Sequence, residues 1–166
     1  DKAMFEKALR LAKNAGLTIC LDLASYNVVD AHVGFFKSMI ANYVSILFAN
    51  EEEIRSLTGL SPEDGAIQIN EICDAVVIKL GAEGSFCVCR EGLVRVGARP
   101  AKPVDTTGAG DLFAAGFIYG HIKGLPAGTC EKMGTILAGR VIELIRAKMD
   151  ESGWENLRRE IAALEN

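Results

Sequence analysis

No apolar run in the 166 residues approaches the ~20 needed to cross a bilayer, so no membrane-spanning helix is expected. The opening residues lack the basic and then apolar pattern of a secretory leader. Excess charge is also small. Lys and Arg number 18 against 22 Asp and Glu, for a net charge of -4 at pH 7. That balance gives no electrostatic case for nucleic acid or an anionic membrane as partner. No internal repeat, low-complexity tract or linker interrupts the chain, and a single α/β domain over 1–166 is expected. Histidine is scarce, and His32 and His121 are isolated, which makes both structural or surface residues rather than a ligand pair. The five cysteines are odd in number and mostly lie in apolar segments. Cys87 and Cys89 share one face of an expected strand, which is poor geometry for a metal clip. Reduced thiols in a cytoplasmic protein are the expectation.

What is present is ordinary globular material, with 49% hydrophobic and 24% charged residues. Met4, Ala8, Leu11, Ala12 and Ala15 recur at helical spacing, and Gly16 closes that helix. Leu17 to Leu23 reads as a strand. Val33, Phe36 and Ile40 mark a helix, and Tyr43 to Ala49 a second strand ending at Asn50. A short helix runs from Glu51 to Thr58 and stops at Gly59. Ser61, Pro62, Glu63 and Asp64 supply the cap, first-turn proline and early acids of another helix. Ala75 to Leu80 is a third apolar strand. This alternation argues for a parallel sheet with right-handed crossovers, and the continuous apolar strands argue that it is covered on both faces.

Beyond it, Ser85 to Arg90 and Leu93 to Val96 flank Glu91-Gly92, a hairpin signal. Three helices follow, over about Ala109 to Lys123, Ala127 to Lys148 and Gly153 to Glu165. Ser152 and Glu155 could form a capping box for the last, with Trp154, Leu157, Ile161 and Leu164 on its inner face.

The residues Asp105-Thr106-Thr107-Gly108-Ala109-Gly110-Asp111-Leu112-Phe113 carry the chemistry. They lead into a helix whose first turn has unpaired N–H groups and partial positive charge, a natural anion site. Gly108 and Gly110 leave the backbone bare, so a phosphate can come close. Asp111 is poorly placed to bind a phosphate and well placed to take a proton from a hydroxyl attacking one. The bland alternative is a capped turn, with Asp105 or Thr107 as N-cap. The small residues of Phe113-Ala114-Ala115-Gly116-Phe117 suit a helix that packs tightly on a sheet.

This string resembles the C-terminal signature of the ribokinase-like (PfkB) family of carbohydrate and nucleoside kinases. Asn50-Glu51-Glu52-Glu53 resembles the family's Asn-x-x-Glu motif, and Lys79-Leu80-Gly81-Ala82-Glu83-Gly84 its strand-end nucleotide loop. The three occur in family order and span essentially the whole chain. The resemblance implies a three-layer αβα sandwich on a mostly parallel sheet. It also implies an ATP-dependent phosphotransferase acting on a hydroxymethyl group of a sugar or nucleoside, with Mg²⁺ and a small-molecule acceptor. The chain opens at Asp1, and a complete family member is about twice as long, so it is expected to be the C-terminal part. The acceptor half would then be absent, leaving a nucleotide-binding module as the alternative function. An exposed apolar patch, with self-association or a homodimer, would follow.

The resemblance also implies roles. Asp111 is the general base, and Gly108, Ala109, Gly110 and Asp111 line the anion hole. Asn50 and Glu53 organise Mg²⁺ through water, against a helix turn whose acids merely suit the dipole. Gly81 and Gly84 let the nucleotide approach, or only turn the chain. Lys79 faces phosphate or snorkels outward. Thr106 contacts nucleotide. Gly134, Thr135 and Ala138 leave room for a flat ring, or for a neighbouring helix. Asp22 lies near the phosphate or caps a loop. Asp105 and Thr107 match positions of a K⁺ site in several relatives, but Arg146 stands where a glycine is expected, which counts against K⁺.

Overall fold

The computed structural model describes residues 1–165. It divides into two units, one of Asp1–Lys79 with Cys87–Leu93, the other of Leu80–Phe86 with the chain from Val94 onward.

The first unit alternates helix and strand. Its helices are α1 (Lys2–Asn14), α2 (Tyr26–Ala31), α3 (Val33–Tyr43), α4 (Glu51–Thr58) and α5 (Pro62–Asn70). Its strands are β1 (Cys20–Asp22), β2 (Ile46–Asn50) and β3 (Ala75–Lys79). The three pair in parallel, with Cys20 opposite Ile46 and Ile46 opposite Ala75. Ile46 to Ala49 and Ala75 to Ile78 are all buried, as strands covered on both faces must be. The sheet continues into a hairpin, β4 (Ser85–Cys89) and β5 (Gly92–Val96), in the order β1-β2-β3-β4-β5.

Two elements depart from expectation. The α1 face is rotated: Met4 and Leu11 stand 68% and 57% exposed, while Phe5, Leu9 and Ala12 turn inward and the Phe5 ring meets Phe35 at 6.0 Å. Hydrophobic spacing fits two adjacent stripes of this helix, and the aromatic pair decides which one is covered. The short helix α2 has no strong signal, because Tyr26–Ala31 buries only Val29.

The second unit holds α6 (Ala109–Ile122), α7 (Ala127–Val141) and α8 (Glu151–Ala162). The small residues of α6 serve a helix rather than a sheet. A Cβ at Gly116 would lie 2.7 Å from the Met133 carbonyl, and one at Gly120 would lie 2.9 Å from Cys130 Sγ. α7 stops at Val141, short of the expected Lys148, because the Ile142 carbonyl accepts from the N–H groups of Val104 and Asp105. Residues 145–147 then form a tight turn with Arg146 and Ala147 at φ of 55° and 53°. α8 begins two residues earlier than expected: Asp150, not Ser152, is its cap, accepting from Gly153 N–H. On its inner face Leu157 and Ile161 are buried and Trp154 half-buried; the helix ends at Ala162, short of the expected Glu165, so half-buried Leu164 lies beyond it.

All five cysteines are free, three of them buried. No helix among the described residues is long and apolar enough to cross a membrane.

Candidate functional site

Ligands of open parallel sheets bind beyond the carboxyl ends of the strands. In the first unit those ends carry Asp22 on β1, Asn50 on β2 and Lys79 on β3. Asp22 sits opposite Phe48, and Asn50 opposite Lys79, in the parallel register. The Lys79 ammonium donates to Asp22 Oδ2 at 2.6 Å, with both side chains mostly shielded. The other Asp22 oxygen accepts from Ala24 N–H at 3.1 Å, and Ala24 is held at φ 62°. A non-glycine residue in this left-handed region is strained, and such strain concentrates at functional sites. The sequence marks Lys79 by its motif and Asp22 by its place after the first strand; only their pairing has no local signal, since the two are far apart in the chain.

Asn50 and Glu53 form a closed capping box. Asn50 Oδ1 accepts from Glu53 N–H at 2.9 Å, and Glu53 Oε2 accepts from Asn50 N–H at 2.8 Å. Asn50 Nδ2 adds a third bond, to Glu53 Oε1, at 3.0 Å. Glu53 is only 3% exposed, unlike Glu52 beside it, so it is not part of a solvated helix face. Burial pushes its carboxyl above the usual range; the Asn50 N–H and Lys79 pull against that rise. Among the described residues no three metal-ligating side chains gather into a cage. Two carboxylates with oxygen donors, Asp22 and Glu53, do fit a cation that keeps most of its water, which is how Mg²⁺ binds.

In the second unit, α6 opens without a side-chain cap. Gly108 is its N-cap, at φ 81°, and a Cβ there would meet Ala147 Cβ at 3.3 Å. Neither Asp105 nor Thr107 is therefore the cap. Asp105 Oδ1 accepts from Thr107 N–H at 2.9 Å, and its Oδ2 accepts from Arg146 N–H at 2.9 Å. Hydrogen bonds from Thr107 and the Arg146 N–H hold the Asp105 carboxyl below its ordinary value. Both oxygens thus face backbone donors, which tie the signature to the 145–147 turn. Ala109 N–H donates to the Thr106 carbonyl at 3.1 Å, which leaves the N–H groups of Gly110 and Asp111 as first-turn donors. Asp111 is exposed on that turn. A phosphate held by those two donors would have a carboxylate at its rim.

The turn after β3 separates its two glycines. Gly81, at φ 58°, has open space where a Cβ would project. Gly84, at φ 96°, has none: a Cβ there would meet the Val96 carbonyl at 2.1 Å and Ala98 N at 2.6 Å. Only Gly81 leaves its backbone approachable, and Gly84 serves packing. On α7, Gly134 also serves packing, since its Cβ would fall 2.8 Å from the Phe113 carbonyl. Thr135, half-buried, has a hydroxyl with no partner among the described residues. Sequence reasoning missed one residue here. Glu131 on α7 is fully buried and takes a hydrogen bond from Ser85.

The family model for pfkB family carbohydrate kinases matches residues 1–148. The chain belongs to that family. An uncharacterized sugar kinase of Archaeoglobus fulgidus is 35% identical over 119 residues, covering 70% of this chain and 46% of the relative. A 5-dehydro-2-deoxygluconokinase of Bacillus subtilis is 31% identical over 144 residues, covering 82% of this chain and 44% of the relative. Among solved structures, adenosine kinase from Sinorhizobium meliloti superposes with a TM-score of 0.85 at 32% identity, over 93% of this chain and 48% of that one. This pfkB-family chain therefore has the ribokinase-like α/β fold. It spans about half the length of the relatives it matches.

Proposed function

We propose that this chain supplies the nucleotide-binding and proton-accepting part of an ATP-dependent kinase acting on a hydroxymethyl group of a sugar or nucleoside. The observation that carries the reading is the start of α6: an uncapped first turn behind a left-handed Gly108, with Asp111 exposed upon it. Phosphoryl transfer spreads negative charge over the γ-phosphoryl oxygens, so catalysis rests on positioning and charge neutralisation. The N–H groups of Gly110 and Asp111 supply fixed donors for those oxygens. As the acceptor oxygen bonds to the γ-phosphorus and the bond to the ADP oxygen breaks, Asp111 takes the hydroxyl proton. Thr106 and Gly81 contact the nucleotide by backbone approach, and within the first unit Lys79 is the cation a phosphate would meet. Within the first unit, Glu53, oriented by Asn50, and Asp22 would hold Mg²⁺ through its water, and the ion would supply positive charge for phosphate oxygens.

Asp111→Asn tests the assignment in a phosphotransfer assay with MgATP and a panel of sugars and nucleosides. Turnover falls by at least about 100-fold with nucleotide affinity kept. Retained turnover sinks the base assignment. A second reading is a nucleotide-binding module with no catalysis of its own, favoured by the coverage of only about half of each relative. Saturable MgATP binding without turnover on any acceptor supports that module.

A further inference from the structure

Glu131 lies outside the family motifs and is unusual in its setting. It is 0% exposed on α7, and the Ser85 hydroxyl donates to its Oε2. Its Oε1 has no partner among the described residues, and neither has the hydroxyl of Thr135 one helical turn on, on the same face. A buried polar atom left unpaired is costly and calls for a reason. Ser85 is the first residue of β4 and directly follows the Gly81–Gly84 turn. That turn has no slack at its end, since Gly84 is pressed on the backbone of 96–98. The Ser85–Glu131 bond is therefore the side-chain tie between the turn and α7.

Among the described residues, burial and the Ser85 bond alone set the state of this carboxyl. On its own helix Lys132 is exposed, and Arg140 pairs with Glu143 and Glu160. Of the neighbouring elements, α6 offers Asp111 and His121, its Tyr119 donating to Glu165. β5 offers Arg95, whose guanidinium lies over the Phe86 ring at 4.8 Å. The charges of α8 pair among themselves or with Arg99. Burial raises the Glu131 carboxyl to about 7, against the opposing Ser85 bond.

We propose that Glu131 is a positioning residue for the nucleotide: as a neutral acid it ties the Gly81–Gly84 turn to α7 beside Thr135, and its ionisation opens that tie. The proposal rests on the reading of Gly81 and Thr135 as nucleotide contacts. Ionised, Glu131 is a full charge with one hydroxyl donor and one bare oxygen, so water must enter, and the contact must part to admit it. In the open state the carboxyl returns to its ordinary value of 4.5. Opening therefore grows as pH rises from there to about 7 and levels off above.

The test is amide hydrogen exchange over residues 81–86, with MgATP titration beside it, at about pH 5.5 and about pH 7.5 on the whole chain. Wild type is compared with Glu131→Gln at each pH, which cancels the intrinsic pH dependence of exchange and the titration of ATP. Relative to Glu131→Gln, wild-type exchange rises roughly 20-fold between the two conditions, and saturating MgATP slows exchange over 81–86 by holding the closed form. Ser85→Ala shows the fast exchange at both pH values, and it serves where Glu131→Gln does not fold. Equal wild-type and Glu131→Gln behaviour at both pH values overturns the tie. A pH-dependent exchange ratio that bound MgATP does not slow overturns the positioning role. No MgATP binding by either protein at either pH overturns the nucleotide reading and the positioning role together, while the exchange ratio still reports the tie.

Discussion

Gly116→Ala should destabilise the protein although it improves helix propensity. Gly116 is in the middle of α6, where alanine in place of glycine normally gains about 1 kcal/mol. Here the added Cβ would lie 2.7 Å from the carbon and oxygen of Met133 and 2.8 Å from Gly134 N. These are backbone atoms of α7, so no side chain can rotate out of the way. Restoring ordinary contact needs the helices to part locally by roughly 0.7 Å. The packing of Phe113, Phe117 and Met133, all nearly inaccessible, would be disturbed in turn. Overpacking costs about 1–3 kcal/mol, here about 2–3 because only backbone can yield, and the propensity gain offsets about 1 kcal/mol of it. A net loss of about 1–2 kcal/mol lowers Tm by roughly 2–8 °C. Gly34→Ala in α3 is the control: no atom lies within 4 Å of its added methyl, so stability should hold or rise. The assay is thermal unfolding of the two variants beside wild type. A Gly116→Ala protein as stable as wild type would refute the close α6–α7 seam.

Two further predictions concern the buried carboxyls. Glu131 holds its proton more tightly in the folded state, so its stabilisation is complete below about pH 4.5 and lost as pH rises to about 7. The loss is at most about 3 kcal/mol, and urea midpoints of wild type and Glu131→Gln should converge at acid pH with the variant ahead above pH ~7. A constant gap between them would contradict it. Asn50→Ala removes the α4 cap and strips buried Glu53 of its side-chain donor, for a loss of about 2–3 kcal/mol by urea unfolding. A loss within about 0.5 kcal/mol would show that the box is not a stabilising unit.

The parts legible in the sequence are those governed by local rules. The Asn50-to-Gly59 helix begins and ends as its cap and left-handed glycine dictate. Ser61-Pro62 starts α5, and the hairpin forms with its turn one residue earlier than expected, at Arg90-Glu91, Gly92 already opening β5. The parts that were not legible depend on contacts between distant residues. Nothing near Val141 says that Val104 and Asp105 will take the next carbonyl and end α7. Nothing near Lys79 names Asp22, and nothing near Glu131 names Ser85. The motif glycines were visible as a set, but their division into an open Gly81 and a jammed Gly84 needed the neighbouring backbone. Small residues on α6 signalled close packing correctly, but the sheet they pointed to is not the partner: Gly116 and Gly120 press on α7.

The central claim is that the first turn of α6 receives a nucleotide phosphate. Its most direct test follows the backbone amide resonances of the protein during titration with MgATP. The account predicts saturable shifts largest at Gly110 and Asp111, with the Asp111→Asn variant still binding. Saturation with the 105–112 amides unmoved, or no binding at all, would contradict it.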